Sequence, residues 1–239
     1  MPPAIAAPLL MVPDPDCPLC PRLAAWRAER QVSEPDWHNG PVPAFGPLSA
    51  RLLVVGLAPG LRGANRTGRP FTGDYAGDLL YPTLIDHGFI RGRFDRRPDD
   101  GLEPVDCRIT NAVRCVPPEN KPTPAEANTC RPFLVSEIGA MPGLQVILAL
   151  GRIAHDAVLR TLGRRLADHP FSHGALHALA PAPSGKKAAS PVTRPLLLAD
   201  SFHCSRYNVN TGRLTAEMFD AVLAEIRRRL PAAEGLVQE

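Results

Sequence analysis

Four short, largely apolar runs constrain this chain more than any other feature: "RLLVVGL" (51–57), "CRITNAV" (107–113), "LQVILALG" (144–151) and "RPLLLADS" (194–201). A strand with one wet face alternates apolar and polar side chains, whereas a strand covered on both faces reads as a nearly continuous apolar run. Each run is bounded by Gly, Pro or polar residues and has the length of a strand. Helical candidates lie between them. "TPAEANTCRPFLVSEIGAM" (123–141) opens on Thr-Pro with Glu126 close behind, a helix entry. "RIAHDAVLRTLGRRLA" (152–167) carries apolar residues near helical spacing. In "TAEMFDAVLAEIRRRL" (215–230), Met218, Phe219, Val222, Leu223, Ile226 and Leu230 form one stripe. Arg227–Arg229 follow at the end of that segment, where the helix dipole favours positive charge. Strand alternating with helix predicts an α/β fold: a three-layer α/β/α sandwich around a central, mainly parallel four-stranded sheet.

At 239 residues the chain suits one domain with a full core, expected over 13–230 between flexible tails at 1–12 and 231–239. Segments 92–106 and 170–193 read as loops, the second a Pro/Ala/Ser-rich surface insertion. The apolar start "MPPAIAAPLLMVP" has no basic region before it and two prolines at once, which argues against a secretory signal. No run approaches the roughly 18–20 apolar residues of a membrane span, so no membrane partner is expected. Basic residues exceed acidic ones, 27 to 24, and only Lys121, Lys186 and Lys187 are lysines. Arginine's planar fork binds two phosphate oxygens at once, so nucleic acid is permitted as a partner without being required.

Six cysteines stand at 17, 20, 107, 115, 130 and 204. Without a secretory signal they point to metal or redox use rather than disulfides. "CPLC" supplies a Cys-x-x-Cys pair, and prolines at 18, 21, 117 and 132 sit within two residues of Cys17, Cys20, Cys115 and Cys130. Spacing alone leaves zinc and an iron–sulfur cluster both open. Cys107, inside a strand, reads as a small buried hydrophobe.

In open α/β sheets ligands collect beyond the C-terminal ends of the strands. Three polar groups fall there: the loop "GLAPGLRGANRTGRPFTGD" (56–74), Asn111, and "DSFHCSRYN" after the fourth strand. Glycines after a strand imply close backbone approach to a phosphate or flat ligand, yet this loop matches neither the P-loop nor the G-x-G-x-x-G fingerprint. Taken with "ITNAVRC" and "HCSRYNVNTGRLT", it resembles the three sequence blocks of the uracil-DNA glycosylase superfamily. The most similar branch is the iron–sulfur-containing family 5, the UDGb type. The likeness runs from the first cysteine pair to about Phe219, with 170–193 outside it.

This resemblance implies a monofunctional DNA glycosylase that hydrolyses the N-glycosidic bond of a flipped uracil and so begins base excision repair. It extends to other deaminated bases such as hypoxanthine or xanthine, and to single- or double-stranded DNA. It implies a monomeric cytoplasmic protein, nucleoid-associated in a prokaryote. No lysine falls in the motif loops to serve as a nucleophile. Gly56, Ala58, Pro59, Gly60 and Phe71 would surround the base, with Phe71 stacked on it. Asn111 would read its edge, since an amide both donates and accepts. Asp74 would stabilise the cationic sugar; related branches carry an acid directly after the first glycine, where this chain has Leu57. The same aspartate could instead cap a following helix. His203 would donate to the departing base, although the family's His-Pro-Ser is here His-Cys-Ser, with Cys204. Ser205, Arg206, Tyr207 and Asn208 would enter the minor groove, and Arg62, Arg66, Arg69 and Arg213 would hold phosphates. Cys17, Cys20, Cys115 and Cys130 would ligate a structural [4Fe–4S] cluster. An alternative is a module that binds uracil DNA without efficient turnover, in which Asp74 would be dispensable.

Overall fold

The computed structural model describes residues 10–181 and 194–231. Residues 1–9 and 232–239 of the expected tails at 1–12 and 231–239, and 182–193 of the expected insertion, lie outside the described residues. In chain order the elements are α1 (Pro21–Ser33), β1 (Leu52–Gly56), α2 (Ala64–Thr67), α3 (Tyr75–Asp86), β2 (Ile90–Arg91), β3 (Glu103–Pro104), β4 (Cys107–Asn111), α4 (Pro124–Gly139), β5 (Val146–Leu150), α5 (Arg152–Thr161), β6 (Leu176–Leu179), β7 (Leu196–Ser201), α6 (Arg206–Asn210) and α7 (Ala216–Arg229).

The apolar runs form the sheet as expected. Every residue of β1, β4 and β5 is buried. Successive side chains leave a strand on opposite faces. Leu52 and Val54 pack with Leu80, Leu84, Phe219 and Val222 from α3 and α7. Leu53 and Val55 pack with Leu134, Ile138, Val158 and Leu159 from α4 and α5. These are two helical layers on one sheet, which is why the strands read as continuous apolar runs.

The strand order is β4-β1-β5-β7-β6, with β4, β1, β5 and β7 parallel. The expected four-stranded sheet has a fifth strand, because β6 runs antiparallel to β7, from Leu176 opposite Ala199 to Leu179 opposite Leu196. That strand lies in the segment read as a surface loop. Four half-covered residues at a sheet edge carry too little periodicity to announce a strand; the pairing with β7 recruits them. Similarly, β3 falls in the other expected loop and pairs with β2.

Two longer helices escaped the apolar pattern. In α1 only Leu23 and Arg27 are buried, so it has almost no apolar stripe. In α3 an interior proline, Pro82, masks a helix that buries Leu80, Tyr81 and Leu84. Of the expected helices, α5 ends at Thr161 rather than 167. At the start of α4, Thr123 Oγ1 accepts from Glu126 N at 3.2 Å and the Glu126 carboxylate accepts from Thr123 N at 2.7 Å. That reciprocal box satisfies two otherwise orphaned donors. Among the described residues no helix is long and apolar enough to cross a membrane.

Replacing Thr123 by Ala removes one half of this box. It should lower stability by about 1 kcal/mol, read as a lower urea midpoint with an unchanged far-UV spectrum.

Candidate active site

β1 sends the chain to β4 on one side, and β4 sends it back across to β5 on the other, so the connections diverge above the C-terminal end of β1. Such a switch point leaves a crevice. Here it is a cavity of about 350 Å³, lined among others by Pro59, Phe71, Asp74, Asn111, His203 and Arg206. Gly56, where β1 ends, lies opposite Asn111 in the β1–β4 ladder.

The glycines of the 56–74 loop have a more specific role than approach to a ligand. A Cβ on Gly56 would collide with Asn111 Oδ1 and stand 2.5 Å from Phe71 Cζ. One on Gly60 would lie 2.9 Å from Asp74 Oδ2, and one on Gly63 would strike the same carboxylate. Three glycines thus make room for three side chains of the cavity itself. The loop is braced internally, with Thr67 Oγ1 donating to Thr72 O at 3.0 Å and Asn65 Nδ2 to Asn39 Oδ1 at 2.9 Å.

Phe71 is buried at φ +52, a conformation that bulky residues rarely adopt. Its ring centroid lies 6.0 Å from that of His203. Asp74 caps a helix and also faces the cavity. Oδ1 caps α3 by accepting from Ala76 N at 3.2 Å, while Oδ2 lies against Gly60 and Gly63 at the cavity. Burial pushes its carboxyl up from the ordinary range, the backbone N–H groups of Ala76 and Gly77 oppose this, and nearby Asp78 adds to it. No cation is among these causes.

Asn111 ends β4 at 4% exposure, and among the described residues its amide has no hydrogen-bond partner. Both its donor and its acceptor are therefore available to a ligand. His203 follows β7; burial alone pulls its pKa down, which holds the imidazole neutral. Its carbonyl accepts from Asn208 Nδ2 at 2.9 Å, and Ser205 Oγ caps α6 by accepting from Asn208 N at 3.4 Å. Cys204 is buried where proline was expected.

The expected nucleic-acid contacts divide. Tyr207 is 71% exposed. Arg62, Arg66, Arg206 and Arg213 are exposed, with Arg206 5.4 Å over the Tyr75 ring and Arg213 4.6 Å over Phe202. Arg69 needs correction. At 5% exposure it grips Asp100 through two bonds of 2.6 and 2.7 Å, donates to Thr72 and lies over Phe45 and Tyr81. A guanidinium already saturated by a buried carboxylate cannot also hold a phosphate. Asn208 likewise spends its side-chain amide on the His203 carbonyl. Asn120, unremarked in the sequence reading, lines the cavity at φ +56 beside Glu119 at φ +55. The only sequence signal was an Asn after "PPE", since Asn tolerates left-handed backbone.

The four cysteines meet on the opposite side of Ala58. Cys17, Cys20, Cys115 and Cys130 line one small hollow with Leu23, Val113 and Phe133. Cys20 precedes α1, Cys115 follows β4, and Cys130 is on α4. Burial first, then neighbouring thiols, pushes Cys20, Cys115 and Cys130 up. Arg114 N donates to Cys130 Sγ at 3.4 Å and Arg27 reaches Cys115 Sγ at 3.9 Å. Among the described residues no three of these sulfurs lie within 4.8 Å of one another. Four thiolates on one zinc, at about 2.3 Å each, would be about 3.8 Å apart.

A family model described as Uracil DNA glycosylase superfamily matches residues 43–227. Relatives include the Type-5 uracil-DNA glycosylase of Thermus thermophilus, 48% identical over 218 residues, which are 89% of this chain and 93% of that protein. The Type-5 uracil-DNA glycosylase of Mycobacterium tuberculosis is 39% identical over 221 residues, 89% of this chain and 77% of that one. A Type-4 uracil-DNA glycosylase of Pyrobaculum aerophilum is 35% identical over 130 residues, 54% of this chain and 58% of that one.

Asp74→Asn keeps a good helix cap and removes a half-buried charge. Because the folded pKa of Asp74 lies above its unfolded value, its ionised form costs stability at neutral pH, and the cost fades as pH falls through the folded pKa. The variant should melt above the wild type at pH 8, with the gap closing toward pH 4; a lower melting temperature at pH 8 would contradict this electrostatic account.

Proposed function

The chain belongs to the uracil-DNA glycosylase superfamily, with type-5 enzymes as relatives over most of its length, and we propose that it is a monofunctional uracil-DNA glycosylase whose reaction takes place in the cavity above β1. The observation that carries this reading is the convergence of an unneutralised carboxylate, an unpartnered amide and a neutral imidazole on one cavity: Asp74, Asn111 and His203.

The chemistry follows from where charge develops. Breaking the N-glycosidic bond leaves positive charge on the sugar and negative charge on the base. A target nucleotide rotated out of the stack brings its base between Phe71 and Asn111. The Asn111 amide donates to O4 of uracil and accepts from N3–H. The neutral His203 donates to the base oxygen that gains charge, and a donor aimed in this way typically contributes about 10²–10³ in rate. Asp74, anionic and desolvated, stabilises the sugar cation and orients the attacking water. The same pairing of ring N–H with carbonyl occurs in hypoxanthine and xanthine, so the reading extends to them. Among the described residues no lysine lines the cavity, which accords with hydrolysis rather than a Schiff base. Arg62, Arg66, Arg206, Arg213 and Tyr207 are the exposed groups for DNA, single- or double-stranded, bound by a monomer.

Cys17, Cys20, Cys115 and Cys130 fit a [4Fe–4S] cluster: four thiols line one apolar hollow, with N–H groups of Arg27 and Arg114 directed at sulfur. Such a cluster would link α1, β4 and α4 and supply no step of the hydrolysis.

An oligonucleotide with a single uracil tests the main reading. Wild type should yield strand breaks only after alkali, and Asp74→Ala should lose at least about 100-fold in rate; undiminished cleavage by that variant removes Asp74 from the mechanism. Wild-type activity should fall as pH drops through the raised pKa of Asp74, at higher pH than an ordinary carboxylate would dictate. For the cysteines, anaerobically purified protein should contain about four irons with acid-labile sulfide per chain; zinc alone would end the cluster proposal.

A further inference from the structure

Of the chain's 7 histidines, His155, His169, His173 and His177 gather with His203 around the C-terminal end of β7. His155 is on α5, His169 directly precedes the segment that the sequence presents as a surface insertion, and His173 and His177 lie within it. For His155 and His173 the hydrogen bonds dictate which ring nitrogens carry protons.

Asp200, at 0% exposure, is the hub. Its Oδ1 lies 2.7 Å from His155 Nδ1 and its Oδ2 lies 3.0 Å from His177 Nε2. The other nitrogen of His155 faces the His169 carbonyl at 2.8 Å. A carboxylate and a carbonyl only accept, so a ring held between them carries two protons when Asp200 is ionised. Burial alone would pull His155 down, but its bonds to Asp200 prevail and its pKa is raised. The result is a closed ion pair beneath β7. The same aspartate clamps the chain that follows His169: Ser172 N donates to its side chain at 3.4 Å and Gly174 N to its carbonyl at 2.9 Å.

His173 lies between these two clamped residues. Its Nδ1 accepts from the Phe202 N–H at 3.2 Å, which requires that nitrogen to be bare. Its ring stacks on Phe202 at 5.0 Å and 17°. Phe202 is the one residue between β7 and His203. The His203 ring has no hydrogen bond of its own among the described residues. Its aim is therefore set through the backbone, by Asn208 at its carbonyl and by His173 at the preceding N–H. His173 and His203 also line a common hollow of about 410 Å³ beside the reaction cavity, with Arg152, Ser172 and Arg213.

Resting on the glycosylase reading of His203, we propose that His173 is a positioning residue for the reaction: it anchors the peptide N–H ahead of His203 and so fixes the direction of the imidazole toward the departing base. The Asp200–His155–His177 cluster is the foundation that holds His173 in place.

The test is a double-mutant cycle on single-turnover uracil release, with DNA affinity and amide exchange measured in parallel. His173→Ala should slow release by about 10–100-fold, as expected of a sub-ångström to ångström misplacement, with affinity for uracil DNA unchanged. His173→Asn, whose Oδ1 can accept from the same N–H, should recover to within about fivefold of wild type. In a His203→Ala background, His173→Ala should cost less than about twofold more. Equal losses in both backgrounds, or an Asn variant as slow as the Ala variant, would overturn the proposal. The Phe202 amide should exchange slowly in wild type and His173→Asn and rapidly in His173→Ala. If wild type releases no uracil yet that amide behaves so, the glycosylase reading falls while the anchoring stands; if the amide is indifferent to His173, the anchoring falls.

Discussion

The parallel pairing of β1 with β4 is the contact on which the cavity rests. It sets Gly56 beside Asn111, and only a residue without a Cβ lets the Asn111 amide and the Phe71 ring occupy the space above the strand end. Both strands are buried on both faces, so their register is held by two helical layers at once. A one-residue slip would turn Asn111 into the core and bring a branched side chain to the position of Gly56. The rigidity of the sheet is thereby handed to a loop whose conformation is otherwise unfavourable, as the positive φ of Phe71 shows; such strain is of order 1–3 kcal/mol.

Electrostatically the C-terminal end of β7 and the loop after β1 are built in opposite ways. Asp200 is paired with His155 and His177, so its charge is cancelled in place. Asp74 is half-buried with backbone donors and, among the described residues, no cation, so its charge remains available and its stability cost is borne by the fold. The two carboxylates thus differ in partners as well as in burial. The same contrast separates the arginines: Arg69 is neutralised by Asp100 and holds the fold, while Arg206 and Arg213 rest on aromatic rings at the surface with their charge exposed.

Cysteine placement extends the sheet's order to the N-terminal region. α1 has scarcely any apolar face of its own, and Leu23 beside the four thiols is its main buried side chain. Next to this hollow Glu137 on α4 pairs with Arg108 and Arg114 and accepts from Thr110 at 3.0 Å, a buried polar network tying α4 to β4. Removing one member would strand the others' charges in a dry interior, which costs far more than the pair contributes. The hollow joins α1 to β4 and α4, and the Glu137 network adds a polar tie between β4 and α4.

Much of this protein was legible in the residues. Continuous apolar runs bounded by breakers specify a doubly covered sheet, because no other arrangement hides both faces of a strand; the Thr-Pro entry with Glu126 specifies a capped helix because its bonds are local. The strand-end positions of the polar blocks followed from the same topology. Tertiary contacts decided the rest. Four residues of β6 became a strand only by pairing with β7, and α3 stayed a helix despite Pro82 because its apolar side packs on the sheet. Whether an arginine faces DNA or a buried aspartate depends on what folds next to it, and Asp100 stands 31 positions from Arg69. His173, in a segment that reads as filler, lies against the residue before His203 for the same reason. Local sequence carries backbone preference and periodicity, which are properties of neighbours along the chain; charge state, partner and direction of a side chain are properties of neighbours in space.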